Sequence, residues 1–328
     1  MSELYPFLLI PIFDERPWGV RDLRPVYVKA VKEPIGESWL TWEDNRVANG
    51  PLAGRTLGEL SQQYRRDLVG AAAPYDNRFP LLVKFLFPGS KLSVQVHPDD
   101  EQARKAGQPC GKTECWYVLA AKPGAQVALG LKAGTILEDF ERAIVDQRAE
   151  DLLNWVDVQQ GDMLYVAAGT VHTIGGGMIL VETQQTCDIT YRLYDYGRPR
   201  ELHIAEGLAA TKLHTNAGKV VRHASDPPDV LVRSPFFEVE KISLRGALRT
   251  EVTPASPQVI VAVDGAGVVE SQGMAPISFA TGEAVVIPAS VREYVVRPQW
   301  ELEIMRMSLP SGMVAEPQTV LGQSVAAR

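Results

Sequence analysis

The sequence predicts a mainly β protein built from two antiparallel barrels with a few short helices. Short runs rich in β-branched residues, such as LSVQVH, DMLYVAAG, QVIVAVDG and EAVVIPAS, recur along the 328-residue chain. Glycine and proline separate these runs at the intervals that are typical of antiparallel sandwiches and barrels. With 45% hydrophobic and 22% charged residues, the chain has enough apolar sequence for a large core.

Three segments show helical rather than strand periodicity. Thr56 and Glu59 form a capping-box pattern, followed by leucines at helical spacing. Thr135 and Glu138 repeat that pattern before FERAIVDQRAEDLLNWV, which predicts a second helix starting there. RELHIAEGLAATKL, residues 200–213, predicts the third.

A weak internal repeat indicates two related β domains. GDMLYVAAGTVHTI at 161–174 resembles GEAVVIPASVREYV at 282–295, and both read as strand, small-residue turn, strand. The later copy has Arg292 or Glu293 where the first has His172. A polar, proline-bearing stretch around 222–235 suggests the boundary, so we expect a catalytic domain over 1–230 and a metal-free domain over 231–328.

Composition excludes several classes of protein. The N-terminal MSELYPFLLIPIFDERPWGV lacks a basic region and is broken by prolines, so it predicts neither a signal peptide nor a membrane span. Three cysteines without CxxC spacing are typical of reduced thiols in the cytoplasm. A net charge of −7 argues against nucleic acid or a membrane as partner, so an anionic substrate would need a local basic pocket.

Polar side chains alternate along strands where apolar ones would be expected. Ser93, Gln95 and His97 share one face of KLSVQVHPDD, because side chains along a strand alternate between its two faces. Lys112 and Glu114 share a face of CGKTECWYVL with Trp116. Such groups are costly to bury without a partner, so these faces look either into water or into a barrel that holds a metal.

The spacing of these residues resembles the paired motifs of cupin-type jelly-roll barrels. GDMLYVAAGTVH carries the glycine, small-residue turn and histidine of the second motif, with Ala167 where proline is usual. The first motif departs from the usual pattern, since Gln95 stands for its first histidine and Glu114 follows His97 by 17 positions. The resemblance implies two cupin-type jelly-roll barrels.

With this departure, the pattern resembles that of the type I mannose-6-phosphate isomerases in their short bacterial form. Gln-x-His, Lys-x-Glu and a later histidine precede ILVETQQTCDITYRLYDYGR, while RPWG, GESW and FPLLVKFL lie earlier in the chain. The resemblance extends to Arg198, and beyond about residue 230 it rests on the β pattern alone. It implies one zinc ion per chain, held by Gln95, His97, Glu114 and His172, with Gln95 either a ligand or a residue that orients the site.

The resemblance also assigns the groups around the metal. Arg192 would hold an enediolate or a phosphate, and Lys112 would point into the same cavity unless it is a rim charge. Glu182 would contact a substrate hydroxyl or relay a proton, the alternative being a structural salt bridge to Arg192. The remaining pocket residues would be Ser93, Arg198 and Trp18, although Trp18 is equally explained by packing.

The function implied is a zinc-dependent interconversion of D-mannose 6-phosphate and D-fructose 6-phosphate through an enediolate. A metal that polarises the sugar oxygens, with cations near the developing charge, lowers the barrier to that proton transfer. Two alternatives remain at this point: a non-enzymatic sugar-binding cupin stabilised by metal, and a cupin oxygenase that uses Fe(II). The glutamine and lysine of the site disfavour the oxygenase.

Overall fold

The computed structural model describes residues 4–74, 77–222, 226–227 and 229–321. Antiparallel strands dominate, which confirms the mainly β prediction. The first four strands are β1 (Phe7–Leu9), β2 (Ile12–Val20), β3 (Ile35–Trp39) and β4 (Leu81–Leu86). A 3-10 helix (Gly50–Leu52) and the helices α1 (Leu57–Tyr64) and α2 (Arg66–Val69) lie between β3 and β4.

The middle of the chain contains nine strands and three helices. In order they are β5 (Val94–Val96), α3 (Asp100–Lys105), β6 (Glu114–Ala121), β7 (Gln126–Leu131), α4 (Leu137–Val145), a 3-10 turn (Ala149–Leu152), β8 (Leu153–Asp157), β9 (Met163–Val166), β10 (His172–Ile174), β11 (Met178–Gln185), β12 (Tyr191–Tyr194), α5 (Ile204–Ala210) and β13 (Gly218–Val220).

The last part of the described chain contains strands joined by turns and loops, without a helix among its described residues. Its elements are β14 (Val230–Arg233), β15 (Glu238–Leu244), β16 (Leu248–Glu251), β17 (Gln258–Ser271), β18 (Ile277–Ala280), β19 (Ala284–Ile287), β20 (Glu293–Ser308) and β21 (Thr319–Val320). The strands β9 and β10 in 161–174, and β19 and the start of β20 in 282–295, confirm that both repeat segments fold as strand, turn, strand.

The chain divides into two compact units; one division falls between Val221 and Arg222, at the edge of the 222–235 stretch, and the residues up to Glu15 group with the later strands. Unit 1 contains the residues up to Glu15, Arg21–Phe85 and Arg222–Glu316; unit 2 contains Arg16–Val20, Leu86–Val221 and the residues from Pro317. The N-terminal residues belong to unit 1 because β1 adds to the sheet of the later strands through the register Phe7↔Val286.

In unit 1, the later strands form a sheet in the order β1-β19-β17-β20-β15-β14, with β16 and β18 paired to β20 and β17. The core of this unit is an apolar cluster that includes Ile260, Val285 and Ile304, all essentially inaccessible to solvent. The long strands β17 and β20 pair over most of their length with two register shifts, which bend the sheet.

In unit 2, two sets of antiparallel strands enclose the core. One set runs β12-β5-β10-β7-β8 and the other β11-β6-β9-β13-β21. Residues from both sets, among them Val127 and Ile174 of the first and Trp116 and Leu164 of the second, form one buried cluster. Unit 2 is therefore a two-layer β-sandwich of the jelly-roll kind, and its inner faces carry the polar residues singled out in the sequence.

Local signals for the helices are partly confirmed. Thr56 caps α1, accepting from the Glu59 amide at 3.1 Å while the Glu59 carboxylate accepts from the Thr56 amide. The capping box expected at Thr135 is wrong: α4 starts at Leu137 with Ile136 at its N-cap, because the Thr135 amide already donates to the Lys132 carbonyl in the preceding turn. The third helix is confirmed as α5, within 200–213.

Candidate metal centre

Strand register in unit 2 brings three separated parts of the chain to one point. His172, the first residue of β10, lies directly opposite Gln95 of β5, and His97 follows β5 by one residue. Glu114 begins β6 in the facing layer, on the same face as Trp116. Because Ile174 and Trp116 belong to the core between the layers, His172 and Glu114 also point into that space.

The donor atoms of His97, Glu114 and His172 have spacings suited to a single ion. The His172 Nε2 lies 3.4 Å from the Glu114 Oε1, and the His97 Nε2 lies 3.6 Å from the Glu114 Oε2. All the donor atoms of this cluster lie within 4.8 Å of one another. Two ligands about 2.1 Å from a tetrahedral ion lie about 3.4 Å apart, so the three side chains fit zinc-like coordination.

Backbone carbonyls fix both imidazole rings. The His97 Nδ1 lies 2.9 Å from the Ile189 carbonyl, and the His172 Nδ1 lies 2.9 Å from the Thr170 carbonyl. A carbonyl accepts only, so each Nδ1 carries the proton and each Nε2 presents its lone pair to the site. The pKa of His172 is lowered to about 4, chiefly by burial, against the raising effect of that hydrogen bond. The ring is therefore neutral near pH 7, the state a metal ligand requires.

Lys112 lies inside the site rather than on its rim. Its Nζ is 3.1 Å from the Glu114 Oε2 and 3.3 Å from the His97 Nε2, and the residue is 5% exposed. The Lys112 amide donates to the Pro98 carbonyl, which holds the segment before β6 against the segment after β5. An ammonium group and three potential metal ligands therefore share one buried space.

Gln95 contacts both the ligand set and Ser93. The Gln95 Nε2 is 3.2 Å from the His172 Nε2, and the Ser93 hydroxyl donates to the Gln95 Oε1 at 3.3 Å. In this orientation the amide directs its NH2 group at the imidazole, so coordination through oxygen requires the amide to flip. Ser93 is buried and lies beside Gln95, as the sequence predicts.

The other predicted residues lie in unit 2 at different depths. Glu182, on β11, is 4% exposed and accepts from the Trp116 indole at 3.1 Å. Trp18 packs in the apolar core between the layers. Arg192 lies opposite Gln95 in the β12–β5 register and donates to the Glu201 carbonyl at 2.7 Å. Arg198 is half-buried and donates to the Lys91 carbonyl at 2.9 Å.

Sequence reasoning missed three features near these residues. The short helix α3 begins three residues after His97 and is capped by Asp99 and Gln102, a spacing that predicts a capping box. Gln184 lies opposite Glu114 and is fully buried. Asp195 is buried with two arginine partners, and an aspartate followed by arginines in DYGRPR could have indicated it.

A two-layer β-sandwich with a buried His–Glu–His cluster defines a jelly-roll metalloprotein. The chain matches the family model of the type I phosphomannose isomerase catalytic domain over residues 14–129. It is 34% identical to the probable mannose-6-phosphate isomerase GmuF of Bacillus subtilis (strain 168) over 320 residues, covering 92% of this chain and 98% of that protein. The chain belongs to the mannose-6-phosphate isomerase family.

Another curated relative and a solved structure match the chain over similar lengths. ManA, the mannose-6-phosphate isomerase of Bacillus subtilis (strain 168), is 33% identical over 305 residues, covering 88% of this chain and 95% of that protein. The crystal structure of the mannose 6-phosphate isomerase from Bacillus subtilis superposes with a TM-score of 0.81 at 29% identity, covering 92% of this chain and 99% of that one. Unit 2, which carries the site, therefore falls in a fold shared with a solved isomerase.

Proposed function

We propose that the chain is a zinc-dependent isomerase that interconverts D-mannose 6-phosphate and D-fructose 6-phosphate. The observation that carries the proposal is the convergence of His97, Glu114 and His172 on donor spacings of 3.4 and 3.6 Å in a member of this family. A borderline-soft ion accepts imidazole nitrogen and carboxylate oxygen together, which favours zinc among the common divalent metals.

In this proposal the three ligands hold Zn²⁺, and Gln95 either completes the set or orients His172. When bound, the ion would polarise the carbonyl and hydroxyl oxygens of the sugar. The chain's own residues then carry the proton transfer between C2 and C1. Glu182 has a buried carboxylate and a fixed hydrogen bond from Trp116, so we assign it to hold a substrate hydroxyl or the moving proton.

Cationic groups would stabilise the enediolate and bind the phosphate. The Lys112 ammonium lies within 3.1 Å of a ligand carboxylate, so it is placed to offset negative charge that develops next to the metal. Arg192 shares a sheet face with Gln95 and can hold the enediolate or the phosphate with its planar fork. We assign Ser93 and Arg198 to the substrate pocket, and we assign Trp18, which is buried in the apolar core, to packing.

We also propose that the enzyme acts in the cytoplasm on a small sugar phosphate. Cys110, Cys115 and Cys187 are buried thiols that form no disulfide, as suits a reducing compartment. Among the described residues, the helices are too short or too polar to traverse a lipid bilayer.

A coupled isomerase assay with and without chelator tests the proposal. We expect turnover of mannose 6-phosphate that chelation abolishes and zinc restores, and metal analysis should give close to one zinc per chain. His172→Ala should lose both zinc and turnover, whereas His214→Ala, at an exposed histidine of the same unit, should keep both. Zinc binding without turnover would favour the sugar-binding module, and iron with oxygen-dependent chemistry would favour the oxygenase.

A further inference from the structure

A turn after β12 carries two arginines on one buried carboxylate. Asp195 is 3% exposed, and Arg200 donates to both of its oxygens, through Nε and Nη2, at 2.7 Å each. The Arg198 Nη2 lies 2.8 Å from the Asp195 Oδ1. Two guanidinium groups therefore share one negative charge, and both remain partly exposed, with side-chain accessibilities of 19% and 23%.

The backbone holds this arrangement rigidly. The Arg198 amide donates to the Asp195 carbonyl at 3.1 Å. Tyr196 and Gly197 between them both have positive φ, 55° and 77°, which is the geometry of a type I′ turn. A tyrosine in the left-handed region is uncommon and is kept there only by its surroundings. The guanidinium groups are thus fixed by a strained turn rather than carried on a free loop.

Further positive charge gathers at the same place. Burial lowers the pKa of Arg192, and the positive charges of Arg200, Arg16 and Arg198 lower it further, against the opposing effect of Asp195. The Arg192 Nε is buried and has no hydrogen-bond partner among the described residues. Partly buried arginines that repel one another, one of them with an unused N–H donor, favour the binding of an anion at this place.

The cationic turn, residues 195–200, follows β12 in the sheet that carries His97 and His172, while Glu114 lies on the facing layer. Arg192 is opposite Gln95 in the β12–β5 pair, and cross-strand partners point to the same face. The Arg198 Nη2 also donates to the Lys91 carbonyl, two residues before Ser93. The segment from Lys91 to His97 therefore links the guanidinium pair at one end to the metal ligands at the other.

We propose that Asp195 is a positioning residue that holds Arg198 and Arg200 as a paired site for the phosphate monoester of the sugar substrate. This rests on the proposed function and adds Arg200 to the groups that bind substrate. A phosphate dianion accepts several N–H bonds at once, which planar guanidinium forks supply better than ammonium groups do. The pair gives the enzyme its preference for phosphorylated over neutral sugars.

The test compares variants of Arg200 and Asp195 in the zinc-loaded protein. Loss of a hydrogen bond to a charged group costs about 1.5–3 kcal/mol, or roughly 10- to 150-fold in binding. Arg200→Met should therefore raise the Kd for inorganic phosphate, measured by calorimetry, and the KM for mannose 6-phosphate by at least about 10-fold, with kcat within about two-fold. Arg200→Lys keeps the positive charge but not the planar fork, so its Kd and KM should lie between those of the wild type and those of Arg200→Met.

Asp195→Asn separates positioning from simple electrostatics. Removing a negative charge would tighten phosphate binding if only net charge mattered, whereas loss of positioning should weaken it about 10-fold. The matched control is Asp162→Asn, which breaks the Lys219–Asp162 pair of the same unit, with a similarly accessible cation but a more exposed carboxylate, and should leave phosphate binding unchanged. Zinc content and the thermal unfolding midpoint of each variant identify any that merely fold poorly.

The outcomes separate this site from the proposed function. Unchanged phosphate binding in a folded Arg200→Met protein, or tighter binding in Asp195→Asn, overturns the paired site while leaving isomerase activity of the wild type untouched. Phosphate binding that falls as expected in a protein without isomerase activity sustains the site and removes the proposed function.

Discussion

Glu114→Gln is the substitution that bears most directly on the metal centre. The carboxylate is 1% exposed and lies 3.1 Å from the Lys112 Nζ, in addition to its approaches to both imidazoles. The amide is nearly the same size, so the change removes a charge without leaving a cavity. Two effects should follow: loss of the anionic ligand, and loss of the carboxylate that offsets the buried Lys112 ammonium.

Loss of the buried ion pair with Lys112 determines how much stability the variant loses. Breaking a buried ion pair by neutralising one partner costs about 3–5 kcal/mol. A chain segment of 150–250 residues loses about 2–4 °C in unfolding midpoint for each kcal/mol, so the chelated variant should unfold roughly 6–20 °C below the chelated wild type. Zinc content should fall from close to one per chain to near zero.

A double variant separates the two effects. Lys112→Met combined with Glu114→Gln removes both charges, so most of the lost stability should return while zinc binding stays absent. Calorimetry of chelated proteins and metal analysis of the dialysed ones provide the two measurements. A single variant that keeps stoichiometric zinc, or a double variant no more stable than the single one, would refute the reasoning.

Three further predictions concern the active site and the fold. Arg192→Lys should lower kcat if the guanidinium holds the enediolate, or raise KM alone if it holds the phosphate; steady-state kinetics decides, and no change in either parameter contradicts both. His172 has a folded-state pKa of about 4, so between pH 6.5 and 4 the unfolded chain binds a proton that the folded chain does not. The free energy of unfolding of the chelated protein should therefore fall by about 3 kcal/mol over this range. Denaturant unfolding should show that the free energy of unfolding depends less steeply on pH in His172→Gln than in the wild type. Equal slopes would exclude His172 as the cause. Thr56→Ala should cost about 1 kcal/mol without altering zinc content, and a neutral result would mean that the α1 cap is dispensable.

Periodicity in the sequence was sufficient to place the candidate metal ligands on shared strand faces, whereas the ligand set itself follows from the family resemblance. Alternation placed Gln95 and His97 on one face and Glu114 with Lys112 on another, and β-strand geometry preserves such relationships in any sandwich. Strict alternation would put Leu92 on the same face as Val94, but β5 starts only at Val94. Leu92 packs in the core between the layers, while Val94 packs behind the sheet.

The groups that orient the ligands could not be predicted in the same way. His97 is held by the carbonyl of Ile189, 92 positions away, and a backbone carbonyl has no residue type to reveal it. The aspartate and arginines of DYGRPR are readable in the sequence, but the turn through Tyr196 that brings Arg198 back to Asp195 is not. Helix caps were predicted well where Thr56 was the first residue outside a helix, but at Thr135 a turn occupied the backbone amide first.

The pairing of β1 with β19 has a consequence for the order in which the chain folds during synthesis. Leu9 also bridges to Val47, but Phe7 pairs with Val286, so the first strand joins its sheet only after almost 280 further residues have been made. At 5–20 residues per second, that wait lasts roughly 15 to 55 seconds on the ribosome. Leu86–Val221, by contrast, contains both layers around the metal ligands in one continuous stretch apart from β21. The segment that holds the metal site can therefore form while the earliest part of the nascent chain still waits for its sheet.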